Sequence, residues 1–239
     1  MARELIRRSL PSGRIARVVM SEITDGDAAG GDVTIGGPDG GGGSDHGQAS
    51  TDAAGRARPW TSLHQVHGDG VVRVDAAGQH SGTRADAAVT AVVDAPLAVR
   101  VADCVPVAFL GDGAVGVAHA GWRGLRAGVV DRTIEAMAAL DGATPVAAVV
   151  GPHIGPCCYE FGDADLDDLA AHFGSAIRST TTDGRPALDL SVALSGVLET
   201  AGIPVTVDGA CTSCDDRYWS FRATATAHRQ AMVVWMGEG

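Results

Sequence analysis

The sequence predicts a single α/β domain of the layered α+β type, a mixed sheet with flanking helices. Three observations carry this. Short apolar runs of strand length alternate with segments of helical periodicity. Gly, Asp and Pro clusters separate them. The 239-residue length suits one sizeable core.

Along the chain, residues 14–20 (RIARVVM) read as a strand or a short helix. Residues 1–24 are the front of the domain. Residues 25–58 (GDAAGG, GGPDGGGGSDHGQASTDAAGR) are dominated by Gly, Asp and Ser, and are expected to form a flexible surface segment with His46 solvated. Order returns at Pro59-Trp60, where the catalytic domain, 59–239, is expected to begin. A loop carrying His64 and His67 leads to a strand at 71–74, then to a short apolar segment at 85–90 that holds one isolated acid, Asp86. Strands are expected at 97–101 and 114–118, and a helix over 125–140, where Leu125, Val129, Ile134, Met137 and Leu140 recur at helical spacing. A buried strand at 146–150 precedes a turn-rich loop, HIGPCCYE. Helices follow at 163–173, with acids in the first turn, and at 189–201. A strand at 205–207, a loop over 211–222 and a last strand at 230–236 complete the order.

Formal net charge is −11 and every basic residue is Arg. Without Lys, Schiff-base and P-loop-lysine chemistry are excluded. The acidic balance argues against nucleic-acid or anionic-membrane surfaces, while single arginines can still grip a phosphate or carboxylate. The five Cys are odd in number, so a disulfide framework is not expected. The first residues, MARELIRRSL, lack an apolar signal core, and no run approaches a membrane span. A soluble cytoplasmic protein, monomeric or a small homo-oligomer, is expected.

Chemistry concentrates in AVRVADCVPVAFLGDGAVGVAHAGWRGLR. Asp103 before Cys104 and Pro106 after it point to a strand-end turn. His119 closes an apolar strand beside Gly121 and Gly124, where backbone can approach a ligand. A third donor lies in His64-Gln65-Val66-His67-Gly68, with His67 preferred because it stands nearer the following strand. Two His and one Cys with an open position is the ligand set of a catalytic zinc. Arg123 and Arg222 are candidate anion grips, His64 a substrate or orienting group, and Asp86 an acid–base group or a partner to a His ligand. Trp122 and Tyr159 offer faces for stacking. Cys211 and Cys214 form a CxxC without a second CxxC to complete four ligands, and Cys157-Cys158 read as packing.

The segments QVHGDGVVRVD, ADAAVT, VADCVPV, HAGWRGL, GPHIGPCCYE and CTSC…FR, in this order, resemble the YfiH family, also called the multicopper polyphenol oxidase or laccase-domain family. The resemblance covers about residues 59–237. It implies zinc, with copper the alternative, held by His67, Cys104 and His119 as the catalytic centre. It also implies a fold similar to the catalytic domain of cytotoxic necrotizing factor toxins. The implied activity is phosphorolysis of adenosine, inosine and methylthioadenosine, with adenosine deamination besides, so the partners are purine nucleosides and phosphate. Residues 18–58 depart from the family's usual front segment. Two rivals stand beside this reading. One is a hydrolase with Cys104 as nucleophile and His119 as base, acting on a peptide or amide such as a cell-wall precursor. The other is an inactive nucleoside-binding homologue.

Overall fold

The computed structural model describes residues 2–28, 34–35, 49–51, 57–140 and 143–238. Most of the segment expected to be flexible, His46 included, lies outside the described residues. At the front, β1 (Arg3–Ser9) and β2 (Ile15–Met20) form an antiparallel hairpin, which settles 14–20 as strand. β3 (Thr34–Ile35), β4 (Ala49–Thr51) and β5 (Ala57–Pro59) pair as a small sheet. Then come β6 (Thr61–Ser62), β7 (Val71–Arg73), β8 (Ala87–Thr90) and β9 (Leu97–Val101). A long hairpin of β10 (Val105–Gly111) and β11 (Ala114–Ala120) leads into α1 (Trp122–Ala127) and α2 (Val129–Ala138). The rest of the chain contributes β12 (Pro145–Val150), α3 (Asp163–Phe173), β13 (Arg178–Thr180), β14 (Pro186–Leu188), α4 (Leu190–Thr200), β15 (Val205–Val207), α5 (Phe221–Thr224) and β16 (Gln230–Gly237).

Two sheets dominate, in the orders β1-β2-β16-β9-β6 and β15-β12-β10-β11-β8-β7. Both are mixed: β6 pairs parallel with β9, β7 with β8 and β15 with β12, while the central pairings are antiparallel. The sheets face one another across a core that joins Val18, Leu97, Val99 and Met232 to Leu110, Val115 and Val117. The other face of the six-stranded sheet presents Val105, Val107 and Phe109 to Leu125, Val129, Met137, Leu166 and Leu194 of the helices. The layers are therefore sheet, sheet, helix, a mixed α+β architecture. β10 is buried along its whole length because both its faces are covered, which is why it reads as a continuous apolar run rather than an alternation.

Two expectations change. The helix over 125–140 is two helices, broken at Gly128, whose φ of +92° is a left-handed cap that glycine adopts without strain. The strand β10 lies where Pro106 signalled a turn. Proline is tolerated there because it occupies the second residue of the strand, opposite His119. As a result β9 and β11 are not neighbours in one sheet. β9 belongs to the five-stranded sheet and β11 to the six-stranded one, and Ala102-Asp103-Cys104 is the crossover between them.

Candidate functional site

The register of the β10–β11 hairpin, Val105 opposite Ala120 and Pro106 opposite His119, brings Cys104 next to Gly121 at the open end. A Cβ on Gly121 would lie 3.0 Å from Cys104 Sγ and 3.2 Å from His67 Cδ2, so glycine there lets three chain segments meet. His67 reaches this point from a left-handed backbone, φ +60°. The ligating atoms of His67, Cys104 and His119 all lie within 4.8 Å of one another. The two imidazole rings stand edge to face with centroids 4.8 Å apart. His119 is buried, Cys104 half-buried and His67 exposed.

Behind the three donors sits Asp86, wholly buried. Its carboxylate accepts the backbone N–H groups of Val66 (3.2 Å), His67 (2.9 Å) and Gly68 (2.8 Å), and bonds His119 Nδ1 at 2.8 Å. An ionised carboxylate only accepts, so Nδ1 carries the proton and Nε2 is left for an ion. Burial alone would raise the Asp86 pKa. The bonds from His119 and Gly68 outweigh it and hold the carboxyl below its ordinary value. Of the roles the sequence left open for Asp86, a substrate-facing acid–base group or a partner to a His ligand, the geometry matches the second. It takes no part in the cleft wall, because its oxygens are taken up by the His67 loop and His119.

Burial likewise opposes ionisation of Cys104, yet hydrogen bonds from His119 and His67 bring its thiol down to about 6. Burial works against the His119 cation too. Its bonds to Asp86 and Cys104 raise it to about 9. Without metal the two form a thiolate–imidazolium pair. The depressed Cys104 contributes stability that is lost as pH falls through about 6, and the raised His119 contributes stability that is lost as pH rises through about 9. The metal-stripped protein should therefore show its highest thermal midpoint between these values, with thiolate absorbance rising through the lower one. A flat profile across both would show that the pair does not form.

The donors open onto a cleft of about 720 Å³, a size that suits a small ligand. His64, Arg123 and Arg222 line it together with His67, Cys104 and His119. Arg123 lies over the Trp122 ring at 4.3 Å and Arg222 over Tyr159 at 5.1 Å, so both guanidinium groups are backed by aromatic faces on the cleft wall. Sequence reasoning missed Arg100, Arg229, Gln65 and Phe221, which also line it. Arg100 was the visible signal, the one charge inside the apolar strand β9. Gln65 exchanges two hydrogen bonds with the Arg100 backbone, each 2.8 Å, fixing the His64–His67 loop to β9. Asp103 holds a left-handed φ of +98°, a costly conformation outside glycine. Its carboxylate accepts Thr212 Oγ1–H at 2.8 Å and the Arg222 N–H at 2.6 Å, pinning both tail segments beside Cys104.

A second cluster contradicts the readings of the remaining cysteines. Cys157 and Cys158 are only partly buried, and they meet Cys211 and Cys214 with all four sulfurs within 4.8 Å. The partner pair for the CxxC comes from a loop some fifty residues upstream, which sequence spacing does not reveal.

Fold and site together define a mixed α+β protein with a two-histidine, one-cysteine metal-type centre at the base of an arginine-lined cleft. The chain belongs to the multi-copper polyphenol oxidoreductase laccase family, the YfiH-like proteins, whose profile matches residues 46–237. It is 40% identical over 181 residues to a purine nucleoside phosphorylase of Streptomyces coelicolor, covering 73% of this chain and 74% of the relative. It is 36% identical over 179 residues to one of Mycobacterium tuberculosis, covering 73% and 71%. The crystal structure of YlmD from Geobacillus stearothermophilus superposes with a TM-score of 0.71 at 25% identity, over 100% of this chain and 98% of that one. YfiH of Bacillus licheniformis shares the fold at a TM-score of 0.70 and 22% identity, over 96% and 98%. No helix among the described residues is long and apolar enough to cross a membrane.

The donor set fits zinc with an open position, and a His₂Cys set also accommodates a single copper. Several coppers would need several histidine-rich groups. Among the described residues one donor cluster contains histidine.

Proposed function

We propose that the chain is a zinc-dependent purine nucleoside phosphorylase acting on adenosine, inosine and methylthioadenosine, with adenosine deamination as a second activity, working in the cytoplasm on small molecules rather than nucleic acid. The observation that carries this reading is the meeting of His67, Cys104 and His119 at the base of a cleft that four arginines also line. The names of the Streptomyces and Mycobacterium relatives support the substrate class.

Zinc held by these three side chains would supply a Lewis acid facing the cleft, able to polarise a substrate oxygen or activate water. The remaining work falls to the chain itself. In phosphorolysis a phosphate oxygen bonds to the ribose anomeric carbon as the glycosidic C–N bond breaks, and the purine leaves with the electron pair and takes up a proton. Arg123 and Arg222 are the grips for phosphate, which their planar donors can bind in pairs. Arg100 and Arg229 add positive potential, so a chain of net charge −11 still offers an anion a local well. Trp122, Tyr159 and Phe221 offer apolar faces for the base. His64, exposed on the wall, would hydrogen-bond the nucleoside. Asp86 keeps His119 in one tautomer and one orientation.

Incubation with adenosine, with and without phosphate, tests the reading. Adenine should appear only with phosphate, and inosine in its absence. No change in adenosine under either condition would refute it. Arg222→Ala should raise KM for phosphate on the order of 10-fold or more while kcat changes less, through loss of a charge-assisted contact. An unchanged KM would remove Arg222 from the phosphate site.

One observation favours a second reading. Cys104, His119 and Asp86 stand in the order nucleophile, base, orienter, with a thiol already lowered to about 6. A cysteine hydrolase acting on a peptide or amide would be metal-free as isolated and quickly alkylated at Cys104. A zinc phosphorylase would be metal-loaded and protected.

A further inference from the structure

We propose that Cys157, Cys158, Cys211 and Cys214 form a second metal centre, a closed tetrathiolate site for zinc with a structural role. The sulfurs converge rather than pair. Cys214 Sγ lies 3.3 Å from Cys158 Sγ and 3.7 Å from Cys157 Sγ, and all four lie within 4.8 Å of one another. In a disulfide each sulfur has one partner, whereas here Cys214 is shared. Four sulfurs placed about 2.3 Å from a tetrahedral zinc would stand about 3.8 Å apart, the scale of the observed spacings.

The surrounding backbone is shaped for such a centre. Cys211-Thr212-Ser213-Cys214 is a tight turn, in which the Cys214 and Asp215 N–H groups both donate to the Cys211 carbonyl at 3.0 Å. The Gly155 N–H donates to Cys211 Sγ at 3.1 Å, an outer bond of the kind that orients a metal ligand. A Cβ on Gly155 would fall 3.3 Å from Cys157 Sγ and 3.3 Å from Cys211 Cβ, so glycine eases the close approach of the two loops around the sulfurs. With four protein ligands there is no open position, which marks a structural rather than a catalytic site.

Its placement gives the centre a task. The loop 211–214 reaches Asp103 through Thr212 Oγ1, and Asp103 adjoins Cys104. The loop 155–160 carries Tyr159 onto the cleft wall, under Arg222. Zinc would clamp both loops and so hold one wall of the cleft from behind. The proposal stands apart from the nucleoside reading, because metal content is measured without turnover.

Metal analysis of the full chain, purified without a histidine tag, decides it. The wild-type protein should carry about two zinc ions per chain, and His67→Ala and the Cys211→Ser/Cys214→Ser variant about one each. A wild-type protein with one zinc that His67→Ala removes would overturn the proposal. Should the double variant fail to fold, cobalt(II) added to metal-stripped His67→Ala gives an independent answer. The intense thiolate charge-transfer bands of a four-sulfur site are expected. Their absence, or an intact mass lighter by two hydrogens per cysteine pair under non-reducing conditions, would overturn it.

Discussion

Cys104→Ala is expected to lower kcat/KM for purine nucleosides on the order of 10³-fold or more while the protein stays folded. The side chain is half-buried, packed on the edge of the inter-sheet core and open to the cleft, so alanine deletes one sulfur at the margin rather than the middle of the core. What is lost is the one anionic donor of the three, and two neutral imidazoles hold zinc far more weakly than a set that includes a thiolate. Zinc content, circular dichroism and steady-state kinetics on one preparation separate these effects. The expected pattern is native ellipticity, zinc missing from this centre, and no adenine formed. Full activity in the variant would remove Cys104 from the chemistry.

Asp86→Asn should be the most destabilising single-residue change near the site, at about 3 kcal/mol, and should also weaken zinc binding on the order of 10- to 100-fold. The buried carboxylate satisfies three consecutive backbone N–H groups and the His119 ring. Asparagine keeps one oxygen and turns an NH₂ toward groups that are themselves donors, so at least one buried donor loses its partner. Because the pKa of Asp86 is lowered in the fold, its contribution is complete above the unfolded carboxylate range and fades as pH falls through the folded value. The variant should therefore lose less further stability on acidification than the wild type does. Urea denaturation at several pH values, with a zinc-chelator competition, reads both effects. Equal midpoints for the two proteins would show that the carboxylate does not hold the loop.

The elements legible in the sequence were those whose local signals agree. α3 spans 163–173 and β15 spans 205–207, as periodicity and turn residues indicated, and β9 spans 97–101. β10 was hidden by Pro106, a local signal overridden by burial on both faces of the strand. The break at Gly128 was hidden for the opposite reason: the apolar positions keep helical spacing across it, and only the left-handed backbone shows it. The meeting of His67, Cys104 and His119 could be anticipated because each donor lies beside a glycine or at a strand end. His64, Arg123 and Arg222, which line the cleft with them, were legible too, but the other residues were not. Arg100 and Arg229 reach the cleft from β9 and from just before β16, and the four cysteines come from two loops that only the tertiary fold brings together. A His-ligand partner was one of the roles open to Asp86, but an isolated acid carries no sign of the N–H groups that surround it.

Anomalous scattering at the zinc edge, from crystals of the zinc-loaded protein, shows whether one ion joins the three side chains. A peak is expected within bonding distance of His67, Cys104 and His119 together, on the floor of the arginine-lined cleft. Zinc-loaded crystals with no peak at those three side chains would contradict it.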